Sequence, residues 1–117
     1  HPAFSTSSFI LRGCCPDGVM LQHAPGRVNR CDFAQMPMPT PASEIRLIET
    51  FADTRVIGLT INHENMTSAE VDSAITQYES ELGIPATDAL THSTDHLVAM
   101  VLSSFPQLKE QLTVGAN

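Results

Sequence analysis

The pattern of the chain is organised around the stretch 55–66, RVIGLTINHENM. Val56, Ile57, Leu59 and Ile61 form a nearly continuous run, the pattern of a strand buried on both faces in a parallel sheet covered by helices. The run stops at four polar residues, 62–65 (NHEN). Thr67-Ser68-Ala69-Glu70 then reads as a capping box, Thr67 being the N-cap and Glu70 reaching back to it. Over residues 68–82, Val71, Ala74, Ile75, Tyr78 and Leu82 recur at helical spacing and share one face. Gly83 ends that helix.

The same reading extends in both directions. Residues 1–13 (HPAFSTSSFILRG) predict a helix opened by Pro2, with Phe9, Ile10 and Leu11 closing its apolar face and Gly13 stopping it. Residues 14–18 make a turn, 18–22 (GVMLQ) a strand, and 23–27 (HAPGR) a second polar loop at a strand end. Residues 28–40 read as irregular, because Pro37, Pro39 and Pro41 exclude a helix before Pro41. Thr40 and Pro41 are a good N-cap and first residue for a helix running to about Ala52. Ile45, Ile48, Phe51 and Ala52 form its face, with Leu47 beside them. Residues 84–88 (IPATD) predict a short strand or extended turn. A last helix begins near Ser93 or Thr94, with Leu97, Val98, Val101, Leu102 and Phe105 as its core face, and Pro106 interrupts it. Residues 107–112 add a turn, and 113–117 read as a frayed tail.

The order is α β α β α β α, which predicts part of a doubly wound, mostly parallel α/β sheet with helices on both faces. Three parallel strands rarely stand alone, so the reading expects further strands upstream of His1. At 117 residues the chain fits one domain at most.

Charge narrows the partners. A net charge of −7, from 13 acidic and 6 basic residues, argues against nucleic acid and anionic membrane surfaces. No run approaches the roughly 18 apolar residues of a membrane span. Cys14, Cys15 and Cys31 are odd in number, and an adjacent pair is badly placed to close on itself, so the expectation is reduced thiols in the cytoplasm.

Candidate chemistry gathers at the strand ends, because ligands of open α/β sheets sit outside the carboxyl ends of the strands. His23 is an acid or base near neutral pH. Gly26 admits close approach of a ligand, and Arg27 offers a planar fork for a carboxylate or phosphate. Asn62 carries donor and acceptor for an adenine edge or an amide. His63 and Glu64 are candidates for proton transfer. The plain alternative for both loops is a solvated turn. His92 and His96 have the spacing of two metal ligands on a helix, but there is no HExxH and no zinc-type cysteine spacing, so no metal is expected. The chain also has no GxxxxGK[ST] and no GxGxxG.

Four motifs, HPAFS, PDGVMLQHAPGR, RVIGLTINHENM and ELGIPATDAL, occur in an order that resembles the C-terminal part of the DgcN-like proteins, long known as a domain of unknown function. The resemblance runs from His1 to about Phe105. It implies the P-loop NTPase fold, preceded in the family by a phosphate loop and a Rossmann-like domain upstream of this chain. It also implies N-acetylation of D-glutamate or a related acidic D-amino acid, with acetyl-CoA as donor. The loops are similar as well to those of dethiobiotin-synthetase-like enzymes, which implies that Asn62 and residues Pro85, Ala86 and Thr87 contact the adenine of CoA or ATP.

The leading expectation is therefore half of an acyltransferase site. His23 or His63 takes a proton from the substrate amine, and Arg27 with Gly26 holds the carboxylate of a small acidic amino acid. The chain would act with the upstream half of the same protein, or as a homo-oligomer, and be inactive alone. The rival is a nucleotide-dependent ligase or kinase of the same fold, in which Arg27 faces phosphate. A third reading is a non-catalytic piece that only folds onto another chain.

Overall fold

The apolar run at residues 56–61 is the middle strand of a parallel three-stranded sheet in the computed structural model, which describes residues 5–31 and 33–114. In chain order the elements are α1 (Ser5–Cys14), β1 (Val19–His23), β2 (Asn29–Arg30), β3 (Phe33–Pro37), α2 (Pro41–Phe51), β4 (Val56–Ile61), α3 (Ser68–Leu82), β5 (Ala86–Thr87), α4 (Asp95–Ser104) and α5 (Gln107–Val114). The sheet order is β1-β4-β5, parallel throughout, with Leu21 opposite Leu59 and Leu59 opposite Ala86. Burial explains the composition of β4: Leu59 is fully buried, and Val56, Ile57 and Ile61 nearly so. Helices flank it, as the alternation of elements predicts. Leu11 of α1 and Ile48 of α2 pack with Ala52 and Val56, while Gly58 sits against Met100 of α4.

Local signals set the helix ends. Thr67 accepts from the Glu70 N–H and Glu70 accepts from the Thr67 N–H, a complete capping box. That hydrogen bond from the Thr67 backbone holds the Glu70 carboxyl below its ordinary pKa. Gly83 closes α3 in the left-handed region, φ 66°. Thr40 accepts from the Ser43 N–H, with Pro41 at the first helical position of α2.

Several expectations need correction. Gly13 does not stop the first helix, which continues to Cys14; the positive φ of 46° falls on Cys15. Of its three apolar residues only Leu11 is buried, while Phe9 is 77% exposed. Pro2 lies outside the described residues. The stretch read as irregular contains an antiparallel ribbon, β2 with β3. Proline forbids a helix, but not the last position of a strand whose outer edge is open, and Pro37 is such a residue. In α2 Ile48 and Ala52 are buried and Ile45 packs against them as expected, but Pro41 and Glu44 are buried too, while Phe51 is exposed beneath the Arg12 guanidinium, 5.7 Å from the ring centroid. In α4 the buried residue is Met100, and Val98 is half exposed. Met100 goes inward because Gly58 opposite has no side chain. Residues 107–112 belong to a helix rather than a single turn, and of the expected tail residues 115–117 lie outside the description.

Candidate functional site

All three strands of the sheet point their carboxyl ends the same way, so the loop after β1, the loop after β4 and the first residues after β5 share one rim. The β4 loop is held by its own backbone. Asn62 donates its N–H to the His23 carbonyl (2.8 Å), and the Met66 N–H reaches the His63 carbonyl (2.9 Å). The Asn62 side-chain oxygen accepts from the Glu64 N–H at 3.1 Å. Asn65 takes a positive φ of 59°, which asparagine tolerates better than most residues. Asn62 therefore builds the loop, and its carbonyl oxygen is already engaged there.

This loop presents His63 to Asp88, the residue that follows β5. His63 Nδ1 lies 2.5 Å from Asp88 Oδ2. The Asp88 side chain is fully buried, whereas that of His63 is 37% exposed. Burial alone would raise the Asp88 pKa. Hydrogen bonds from the Leu90 N–H, the Thr91 side chain and His63 outweigh it and hold the carboxyl below its ordinary value. At neutral pH Asp88 is thus an anion that can only accept, so the proton between the pair sits on His63 Nδ1. With Nδ1 so engaged, Nε2 is the ring nitrogen left to exchange a proton. An imidazole oriented by a buried carboxylate, with its second nitrogen available, is the arrangement of a general base.

On the other side of β4, Arg27 and Glu64 bridge the two loops. Arg27 Nε donates to Glu64 Oε2 at 2.6 Å, and Nη2 contacts the same oxygen. Gly26 makes the crossing possible: a methyl group there would lie 2.5 Å from the Glu64 carbonyl oxygen. The room that Gly26 leaves is taken by protein backbone.

His23 faces a different environment. Its ring meets Tyr78 edge-on, centroids 5.7 Å apart. Burial lowers its pKa, with the Glu44 carboxylate opposing. Burial raises that of Glu44, while Arg30 and His23 pull it down. A cavity of about 560 Å³ opens beside β1, its walls including Leu11, Leu21, His23, Arg27, Met38 and Glu44. The two candidate bases are therefore differently placed: His63 is anchored to a buried anion and reaches solvent, and His23 lines the cavity against an aromatic ring.

The residues expected to touch adenine separate. Pro85 lies before β5, where its carbonyl accepts from the Leu59 N–H in the middle of β4 rather than at the rim. Ala86 and Thr87 are buried, and the Thr87 hydroxyl has no hydrogen-bond partner. His92 Nε2 lies 3.3 Å from Asp72 Oδ1, and its ring centroid is 6.0 Å from that of His96. Among the described residues no three His, Cys, Asp or Glu side chains are grouped to hold a metal ion. Cys14, Cys15 and Cys31 are free and exposed. No helix among the described residues is long and apolar enough to cross a membrane.

Sequence reasoning named His63 but missed Asp88 and Glu44. The signal for Asp88 was its place directly after a strand, the position that made residues 62–65 worth attention. Glu44 carried none, because a glutamate in the first turn of a helix reads as solvated.

Comparisons with known proteins agree with this architecture. The family model described as "Domain of unknown function (DUF1611_C) P-loop domain" matches residues 1–98. A protein of Tritonibacter scottomollicae named D-glutamate N-acetyltransferase is 23% identical over 105 residues, 84% of this chain and 31% of its own length. The crystal structure of a DUF1611 family protein from Anabaena variabilis superposes with a TM-score of 0.79 at 26% identity, covering 88% of this chain and 32% of that one. The chain thus spans about a third of the length of these relatives.

Proposed function

The chain belongs to the DUF1611 family, within its C-terminal P-loop domain, and from that premise we propose that it carries the base-bearing part of an N-acetyltransferase site acting on an acidic D-amino acid. The observation that carries this reading is the His63–Asp88 pair at the carboxyl end of the sheet. An α-ammonium group cannot attack a thioester until it loses a proton. His63 Nε2 takes that proton, and Asp88 stabilises the imidazolium that results. The amine nitrogen then forms a bond to the acyl carbon, the carbon–sulfur bond breaks, and the thiolate leaves with the electron pair. His63 returns its proton to the thiolate, and the acylated nitrogen sheds its second proton to solvent, leaving the amide, the free thiol and one released proton. The name of the Tritonibacter relative supports D-glutamate as acceptor and an acetyl group as cargo.

Acetyl-CoA is the donor in this reading. The sequence has no phosphate loop of its own, so the donor's phosphates fall to the upstream half of the protein, with which this chain would complete the site in the cytoplasm. The test is acetyl transfer to D-glutamate by a full-length protein carrying this chain, compared with its His63→Asn variant. A base removed from proton transfer lowers the rate by about 10²–10⁴-fold. A variant as active as the parent, or a parent stabilised against heat by ATP and not by acetyl-CoA, would replace this reading with the nucleotide-dependent one.

A further inference from the structure

We infer that Arg27 is a carboxylate subsite which Glu64 occupies as a resident stand-in, and that a dicarboxylic ligand displaces Glu64 to seat one of its own carboxylates there. The inference rests on the acetyltransferase reading only for the identity of that ligand as an amino acid.

Three observations carry it. First, the pairing is incomplete. Both Arg27 nitrogens that meet Glu64 converge on one oxygen, Oε2. A guanidinium matches a carboxylate best when two parallel N–H groups meet two oxygens. A free ligand can adopt that fork-to-fork arrangement, whereas the Glu64 side chain is tethered to a loop fixed by Asn62 and by the contact with Gly26. Second, displacement is easy. The Arg27 and Glu64 side chains are 32% and 42% exposed, and an ion pair so wet contributes little. The loop stays in place when the side chain leaves, because backbone contacts hold it. Third, there is room for the ligand: Arg27 forms part of the wall of the 560 Å³ cavity beside β1.

Position gives the exchange a purpose. The cavity wall that holds Arg27 also holds His23, so a ligand carboxylate that takes the place of Glu64 on Arg27 is anchored on the His23 side of the rim. Glu64 then sets specificity. A neutral or cationic ligand gains nothing by displacing it, and a carboxylate gains the fork.

The test is calorimetric titration of glutarate into a full-length protein carrying this chain. Glutarate has two carboxylates and no amine, so its binding does not depend on acetyl transfer. Glu64→Gln should tighten glutarate binding about two- to fivefold, the worth of one exposed ion pair, and Arg27→Gln should weaken it. Glu64→Asp, whose carboxylate stops short of Arg27, should also tighten it, and covers a failure of Glu64→Gln to fold. Unchanged or weaker glutarate binding in the folded Glu64 variants, or no glutarate binding by the parent, would make the pair a loop staple and overturn the inference. If glutarate behaves as stated and D-glutamate is not acetylated, the subsite stands and the acetyltransferase reading falls. If acetylation occurs while the Glu64 variants leave both the glutarate Kd and the D-glutamate KM unmoved, the subsite falls alone.

Discussion

Substituting Gly26 by alanine would set a methyl carbon 2.5 Å from the Glu64 carbonyl oxygen, well inside contact distance. One of the two loops must then retreat, at a cost of about 1–3 kcal/mol for a forced backbone shift. Gly13 has nothing within 4 Å of the same position and lies within α1, so Gly13→Ala should be neutral or stabilising by up to about 1 kcal/mol. Urea unfolding of the two variants checks this; equal effects would mean that the loop crossing is not tight. Asp88 makes a second prediction at this scale. Its folded pKa is held below the ordinary value, so its contribution to stability is present above that value and is lost as pH falls through the folded one. Asp88→Asn should therefore destabilise the protein at pH 7, and its deficit against the parent should shrink below about pH 4, where an ordinary aspartate protonates. Unfolding measured at pH 7 and at pH 3 decides it; a deficit that does not change with pH would assign Asp88 a role independent of its charge.

Between elements, two crossovers close by the same device. Glu49, late in α2, accepts from the Val56 N–H at the start of β4 (2.9 Å), and Glu79, late in α3, accepts from the Ala86 N–H at the start of β5 (3.0 Å). Each glutamate reaches seven residues forward and gives a partner to a backbone donor that the parallel ladder leaves over. Removing the partner of a buried donor costs about 1–3 kcal/mol. Glu79→Ala should lose that much, and hydrogen exchange of the Ala86 amide should accelerate more than exchange in the middle of β4. Uniform acceleration would show that Glu79 acts on global stability instead. At its start β4 is also tied to the end of α4: Arg55 donates to the Ser104 carbonyl at 2.5 Å and its guanidinium lies 5.3 Å from the Phe105 ring centroid. A cation on the last carbonyls of a helix is favourably placed against its dipole.

For the molecule as a whole, the radius of gyration of 15.5 Å exceeds the roughly 13 Å of an independent domain of this length. Among the described residues β1 and β5 each pair on one side only, and Phe9, Val28 and Leu90 are 77–81% exposed. Open strand edges and uncovered apolar side chains are each surfaces that seek a partner. The 117-residue chain by itself is expected to self-associate, and not to acetylate D-glutamate. Sedimentation velocity with an acetyl-transfer assay measures both; an active, stable monomer would refute the expectation.

What the sequence determined by itself was whatever neighbours within a few residues decide. The capping box at Thr67, the stop at Gly83, the prolines that bar a helix before Pro41, and the apolar run of β4 are all local, and each stands where the pattern placed it. Their order was enough for a parallel sheet with β4 in the middle. Tertiary structure decided what meets across the rim. His63 finds Asp88 at a separation of 25 residues and Arg27 finds Glu64 at 37, because the register of three strands brings their loops to one side. Burial of Met100 follows from the gap at Gly58, and Glu44 is buried although it stands in the first turn of a helix. The ribbon at residues 29–37 was hidden because its one proline, Pro37, is tolerated only at an open edge, and which edges are open is a property of the assembled fold. Periodicity records the side on which a residue is buried; it does not record what waits there, since that depends on distances set by every other element at once.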